Sequence, residues 1–415
     1  MNLGAYIYAV PLLEKGISLV RDICSRGYDA VVAGGCVRDM AMWTLAGHPG
    51  KAPGIHDVDI ATNMPMDELR KAFRCESNNG EAHGTLLVLY KGTPFEVSRY
   101  RADGDYSDGR RPDSVKWAST FREDASRRDF TMNAMGLGCD GEIVDHFGGL
   151  DDIRKRVLRT VGDPIDRFSE DALRIVRAFR FAGRYGMAID PATMAAAQAV
   201  AGKLACVSME RFHDEFTKCA GYGVRAAARM AEYMANGVGW RIDGAVDWNS
   251  AAACLRRLAG LDPIDWGEGH LLPLIMPDEA TMRRFTCTRG EISAWRYSRC
   301  MLGKYLAGRL DLVDLADGVR DPRWPVFRNY VLATQGYFVL SAGDEHQLRS
   351  HEESWPRKRD LSRALAESGA EPGKEFGDML RRLRMEVYRR KARGTSVDAG
   401  TLDKLVTSVK GTGWK

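Results

Sequence analysis

No apolar run in this 415-residue chain reaches the ~18–20 residues that a membrane-spanning helix needs. The segment from Met1 to Arg21 carries Glu14 and Lys15 inside its apolar pattern and has no small-residue cleavage site, so it reads as an amphipathic first helix and not a signal peptide. The nine cysteines (24, 36, 75, 139, 206, 219, 254, 287 and 300) include no Cys-x-x-Cys pair, which excludes a disulfide framework or zinc site and points to a reducing cytoplasm. His213-Asp214 has no histidine cluster around it, so it reads as structural, not as a metal-dependent phosphohydrolase centre. Internal repeats and low-complexity tracts are absent as well. Net charge is only +4, with 45% apolar and 28% charged residues, the balance of an ordinary globular protein large enough for several domains.

A glycine turn and a pair of aspartates are the most informative features present. Val31-Val32-Ala33 reads as a short buried strand running into Gly34-Gly35-Cys36-Val37-Arg38-Asp39. Gly34 and Gly35 let the backbone approach a phosphate closely, and the following helix points its N-terminus there. Downstream, Asp57-Val58-Asp59-Ile60 alternates acid and β-branched residues. On a strand that places both carboxylates on one face and Val58 and Ile60 on the other. Paired carboxylates repel unless a divalent cation lies between them, and oxygen-only ligands suit Mg²⁺. Asp-x-Asp alone is common on exposed strands; beside the glycine turn it indicates metal-assisted nucleotidyl transfer.

The pattern predicts an α+β chain. Strands are expected at Val31–Ala33, Val58–Ala61, Thr85–Tyr90 and Pro94–Tyr100, and helices near 8–25, 37–46 and 65–73. Gly104 to Ser114 is rich in turn formers and reads as a mobile loop. Helical spacing then takes over at 167–185, 192–205, 208–220 and 224–236, and turns near Gly260–Trp266, Gly318–Trp324 and Gly369–Gly373 break the remainder. The expected domains are a catalytic head (1–155), a helical neck with a nucleotide-selecting helix (156–222), a helical body (223–330) and a basic helical tail (331–415). In the tail, residues 376–395 hold Arg381, Arg382, Arg384, Arg389, Arg390, Lys391 and Arg393 against Asp378 and Glu386. Such a run is often a solvated helix face; beside a nucleotidyl transferase head it offers contacts to an RNA backbone, with Arg381, Arg382, Arg389 and Arg390 as candidates.

The remaining chemistry has candidates too. Arg38 lies at a helix start within reach of phosphate oxygens. Glu96, in Phe95-Glu96-Val97-Ser98, offers a third carboxylate, or equally an exposed strand residue. In Arg127-Arg128-Asp129-Phe130-Thr131-Met132-Asn133-Ala134, Arg128 and Asp129 suit ribose hydroxyls while Phe130 packs inward. From Glu170 to Arg180, helical counting sets Asp171, Arg174 and Arg177 along one face, with Arg180 in an adjoining row, and lets Glu170 lock Arg174 four residues on. A fixed Asp accepting from a base amine and a fixed Arg donating to a ring acceptor would imitate a Watson–Crick edge; the plainer alternative is a salt-bridged helix.

These motifs, together with Asp145-x-x-Gly148-Gly149-x-x-Asp152 and Glu210-Arg211-x-x-x-Glu215, occur in an order that resembles the class II tRNA nucleotidyltransferases, the CCA-adding enzymes, whose polymerase-β-like head is shared with bacterial poly(A) polymerases. The resemblance covers about residues 30–220. It implies Mg²⁺ on Asp57 and Asp59, triphosphate contacts from Gly35 and Arg38, and ribose contacts from Arg128 and Asp129. It also implies selection of C or A by Asp171 and Arg174, with Arg177 and Arg180 on the nucleotide side and Arg211 and Glu215 buttressing the helix. The implied partners are the tRNA 3′ end, CTP and ATP, with no membrane; monomer and dimer stay open. Two departures stand out: Met40 to His56 is longer than usual, and the C-terminal half carries no nameable motif. Poly(A) polymerase is the runner-up, but His83 to Val88 lacks the basic, histidine-rich character expected there. The loop from Arg101 to Asp113, with Asp103, Asp105, Asp108, Arg110 and Arg111, favours full addition over a CC-only enzyme, and an A-only enzyme stays a further alternative. A catalytically inactive RNA-binding protein is disfavoured because the aspartate pair is intact.

Overall fold

A computed structural model describes residues 1–48, 50–76, 84–103, 115–236, 238, 244–260, 271–306, 314–315, 317, 321–335, 358–371, 374–392 and 397–411. The loop at 104–114, His83 and Arg393 lie outside them. Two compact units form, Met1–Ala252 and Ala253–Lys415.

The first unit is built on a seven-stranded sheet in the order β3-β4-β5-β2-β1-β8-β9. Its strands are β1 (Ala30–Ala33), β2 (Asp59–Thr62), β3 (Arg74–Glu76), β4 (Thr85–Tyr90), β5 (Thr93–Arg99), β8 (Met135–Leu137) and β9 (Ile143–Asp145), while β6 (Arg101–Asp103) and β7 (Val115–Trp117) pair separately. β2 runs antiparallel to β1 and parallel to β5, with Ile60 beside Val97. That register sets Asp59, one residue earlier, level with Glu96. Strand alternation does the rest: Val58, Ile60, Phe95 and Val97 are buried, while Asp57, Asp59 and Glu96 are exposed. Hydrogen-bonded pairing starts only at Asp59, so Asp57 lies in the segment just ahead of the strand. Helix α1 (Pro11–Ser25) covers the apolar face with Leu13, Ile17 and Val20. It packs so closely that a Cβ on Gly16 would stand 2.7 Å from a methyl of Val58.

Helix α2 (Gly35–Leu45) follows β1, α3 (Met66–Ala72) follows β2, and α4 (Phe121–Ser126) starts with a capping box between Thr120 and Glu123. After α5 (Gly149–Lys155) the chain turns helical: α6 (Pro164–Glu170), α7 (Leu173–Tyr185), α8 (Pro191–Ala199), α9 (Met209–Ala220) and α10 (Val224–Ala235). The single helix expected over 167–185 is two helices. Asp171 adopts an extended backbone, and its Oδ1 accepts the Leu173 N–H at 3.0 Å. Aspartate competes with helical bonding in this way and starts a helix instead of continuing one. Asp171 therefore stands at the mouth of α7, not along its face with Arg174 and Arg177.

The described residues of the second unit form helices and turns. Leu361, Leu365, Leu383, Val387 and Leu405 bury a core between the helices Lys358–Glu367, Lys374–Ala392 and Ala399–Gly411. Among the described residues, no helix is long and apolar enough to cross a membrane.

Candidate active site

The turn after β1 is the pivot of the site. Gly34 has φ of +83° and ψ of −138°, a conformation that suits glycine, and α2 starts at Gly35. A Cβ at Gly34 would lie 3.6 Å from Arg128 Nη1 and 3.7 Å from Asp59 Oδ2, so this backbone touches both a carboxylate and a guanidinium. A recess opens on each side.

The first recess, about 600 Å³, has Asp57, Asp59 and Glu96 in its wall with Leu12, His56 and Thr93. Asp59 stays in contact with solvent, yet the surrounding protein raises its carboxyl above the usual range; Glu96 and then Asp57 add to the rise, while Arg128 works against it. Three carboxylates share one wall, and with ionisation resisted at Asp59 they offer hard oxygens whose charge a divalent cation would relieve. Cys36, in the same turn, is no nucleophile: burial, then Asp59, push its thiol up to about 12.

The second recess is a cleft of about 590 Å³ lined by eight arginines against Asp129 and Asp171. Gly35, Arg38, Arg128, Asp129, Asp171, Arg174, Arg177, Arg180 and Arg211 all reach it. A polyanion suits such a surface. Ion pairs orient nearly every arginine. Arg174 bonds Glu170 four residues back and donates to the carbonyls of Arg167 and Arg127 at 3.1 and 3.2 Å. Arg177 grips Asp129 Oδ2 with Nε at 2.9 Å and Nη2 at 2.7 Å. Arg180 bonds Glu215, a pair with both side chains buried, and its guanidinium lies 4.0 Å from the Phe181 ring centroid. Arg211 reaches Asp171 Oδ2 at 2.8 Å.

Asp129 is buried and also accepts from Asn133 Nδ2 and the Phe130 N–H, both at 2.9 Å. Burial alone would raise its carboxyl; Arg177 and the Asn133 bond outweigh that and hold it below the usual range. Phe130 is fully buried. Three participants are not evident from the sequence. Asp124, 1% exposed, bonds Arg127 at 2.9 Å and Arg128 at 3.1 Å. Asn133 accepts from Arg38 Nη1 at 2.7 Å, and Asp39 receives donors from two helices. Asp124 and Asn133 stand within five residues of Arg128, and Asp39 adjoins Arg38, so proximity to the motifs was the signal available.

In the second unit, Arg381, Arg382, Arg389 and Arg390 line a third recess with Lys404. They are not free charges: Arg381 pairs with Asp314 at 2.8 Å, and Arg390 with Glu386 at 3.3 Å.

Known proteins are similar to this chain in sequence and fold. The family model described as the poly A polymerase head domain matches residues 30–159, and that for a probable RNA- and SrmB-binding site of polymerase A matches 186–234. The CCA-adding enzyme of Levilactobacillus brevis is 32% identical over 394 residues, 90% of this chain and 93% of that one. That of Geobacillus stearothermophilus is 41% identical over 224 residues, 54% of this chain; here and in two further relatives the match spans about half of the relative (53, 48 and 49%). Among solved structures, the Bacillus stearothermophilus CCA-adding enzyme in complex with CTP superimposes with a TM-score of 0.62 at 26% identity, covering 92% of this chain and 93% of that one. The Thermotoga maritima CCA-adding enzyme complexed with tRNA shares the fold, with a TM-score of 0.65 at 20% identity over 96% and 95% of the two chains.

Proposed function

This chain belongs to the family of CCA-adding enzymes and poly(A) polymerases, and we propose that it adds C, C and A to tRNA 3′ ends from CTP and ATP without a nucleic-acid template. The observation that carries the reading is the meeting of the carboxylate recess and the arginine cleft at Gly34, where Asp59 and Arg128 flank one glycine turn. A triphosphate in the arginine cleft has its reactive end directed toward the carboxylates.

Enzymes of this family use a divalent metal. Here Asp57 and Asp59, with Glu96 beside them, would hold Mg²⁺, which when bound lowers the pKa of the attacking hydroxyl and neutralises the leaving pyrophosphate. The protein's own groups do the positioning. Gly34 and Gly35 bring backbone close to the phosphates, and Arg38 supplies a buried guanidinium. Arg128, held by Asp124, and Asp129, held by Arg177 and Asn133, face the ribose. Asp171 and Arg174 read the base, with Arg177 and Arg180 shaping the pocket behind it. An amine at cytosine N4 or adenine N6 donates to Asp171, and Arg174 donates to the adjoining ring nitrogen. In this reading Glu170, Arg211 and Glu215 fix these groups in place. The tail arginines track the RNA backbone, and the nine cysteines, all free, suit the cytoplasm.

The test is incubation with tRNA lacking its CCA end, with each nucleoside triphosphate alone and in combination, followed by sequencing of the products. Two C and one A, added in order and then stopping, is the expected result. Long A tracts, CC alone or A alone would each overturn the reading.

A further inference from the structure

The arginine cleft has two walls, the phosphate turn with α2 and the arginine-bearing α7, and one carboxylate spans them. Asp39 Oδ1 accepts Arg38 Nε at 2.8 Å and the Tyr185 hydroxyl at 2.8 Å, and Oδ2 accepts Arg184 Nη2 at 3.2 Å. Tyr185 and Arg184 close the last turn of α7, 146 and 145 positions along the chain.

The consequence for Arg38 is tight confinement. Its Nε is bound by Asp39, and its Nη1 donates to Asn133 Oδ1 at 2.7 Å. Its guanidinium lies over Tyr185, 4.9 Å from the ring centroid, and 5.3 Å from that of Phe181. Nη2 stands beside Gly35, 3.3 Å from where a Cβ would be, facing the turn. An unrestrained arginine loses rotamer freedom when it grips a phosphate; this one has given it up in the free protein. Tyr185 serves twice, as a surface under the guanidinium and as a donor to the carboxylate that fixes it.

We propose that Asp39 is a positioning residue that aims Arg38 at the triphosphate and latches α2 to α7, so that phosphate binding and base reading share one frame. The inference rests on the cleft being a nucleoside triphosphate site. Because the triphosphate is common to CTP and ATP, the latch acts on both alike and not on base choice. The carboxylate touches no substrate atom and works through its three donors.

The experiment is steady-state kinetics on Asp39→Ala, Tyr185→Phe, Arg38→Ala and the Asp39→Ala/Arg38→Ala double variant, with thermal unfolding and equilibrium binding of CTP and ATP beside them. Asp39→Ala should raise KM for CTP and ATP together, about tenfold, the scale of one charge-assisted hydrogen bond. kcat should move less, and exclusion of UTP and GTP should persist. Tyr185→Phe keeps the ring, removes one donor and should give an intermediate rise; it carries the test if Asp39→Ala does not fold. In the Arg38→Ala background, loss of Asp39 should add less than about twofold. Unchanged KM, a rise for one nucleotide only, or the full effect without Arg38 would each overturn the latch. Equilibrium binding separates the two levels. Wild-type protein that binds neither CTP nor ATP overturns the functional reading; binding that is indifferent to Asp39 and Tyr185 overturns the latch alone.

Discussion

Asp171 and Arg211 form a 2.8 Å ion pair across forty positions of sequence, and it holds Asp171 from the side opposite its backbone bond. One carboxylate oxygen caps α7 through the Leu173 N–H, the other takes the α9 guanidinium. A carboxylate restrained at both oxygens cannot swing to suit a different base. Arg174, tied to Glu170 and two carbonyls, is equally fixed. Rigid partners discriminate better than mobile ones, because a mismatched base leaves them unsatisfied.

Base choice should therefore fail in a specific way. UTP and GTP present a carbonyl where the amine belongs, leaving Asp171 opposite an acceptor at a cost of ~1–3 kcal/mol. Asp171→Ala should relax selection toward UTP and GTP, whereas Arg174→Ala should cut incorporation of both correct nucleotides. Glu170→Ala should do the same more mildly, by loosening Arg174. Competition assays with all four triphosphates decide it: an Asp171 variant that slows yet still excludes UTP as sharply as wild type would place selection elsewhere.

Asp57→Ala and Asp59→Ala should each abolish addition with the fold and tRNA binding retained. Loss of several kcal/mol of transition-state stabilisation, at ~1.4 kcal/mol per tenfold in rate, puts either variant below detection. Near wild-type turnover with Mg²⁺ in either variant would refute the metal assignment. Glu96→Ala completes the set, since its influence on Asp59 marks it as sharing the recess.

What the sequence could convey tracks the range of the interaction. The alternation of Asp57 and Asp59 with Val58 and Ile60 was legible because a strand's period is two. The Glu170–Arg174 lock was expected because four residues are one helical turn, and it forms although the helix breaks at Asp171 between the two residues. The break at Asp171 was not: helical spacing continues through it, and only the turn formed by its own carboxylate interrupts the backbone. Nor were Arg177 with Asp129 or Arg184 with Asp39, whose partners lie 48 and 145 positions apart and meet only once α7 docks. The resemblance to CCA-adding enzymes supplied Arg211 and Glu215 as supports where periodicity was silent. In the tail, composition suggested free cations; Asp314, 67 positions from Arg381, shows that part of that charge is spent inside the second unit.

That pairing divides the tail arginines. Replacing Arg389 and Arg390 by Gln should weaken tRNA binding and flatten its dependence on log salt by roughly one unit for each phosphate left without its cation. Arg381→Gln strips a partner from buried Asp314, so it should also lower the unfolding temperature of the second unit. Binding isotherms across a salt series settle the first claim, and an unchanged slope would reduce Arg389 and Arg390 to a solvated helix face.

Acidity should separate two aspartates of the site whose carboxyls are shifted in opposite directions. Asp59, though exposed, is raised in the folded protein by partial loss of water to its surroundings and by Glu96, so its favourable contribution is complete below the unfolded pKa of ~3.9 and is lost as pH rises through the folded value. At neutral pH its ionised form opposes folding. Asp59→Asn should then stabilise the protein at pH ~7.5 without divalent cation, and the gain should shrink as pH falls through the raised folded value. Added Mg²⁺ should stabilise wild type more than the variant. Asp129 is lowered, with Arg177 and Asn133 outweighing burial, so its contribution is present above ~3.9 and is lost only as pH falls through its depressed folded value. Asp129→Asn should cost ~1.5–3 kcal/mol, since it removes charged bonds from Arg177, and should cost as much at pH ~5 as at ~7.5. Denaturant titrations of both variants and wild type in a pH series from ~7.5 down to ~4 give the comparison. A gain from Asp59→Asn that ignores pH, or a penalty from Asp129→Asn that fades before pH ~4, contradicts the electrostatic picture of the site.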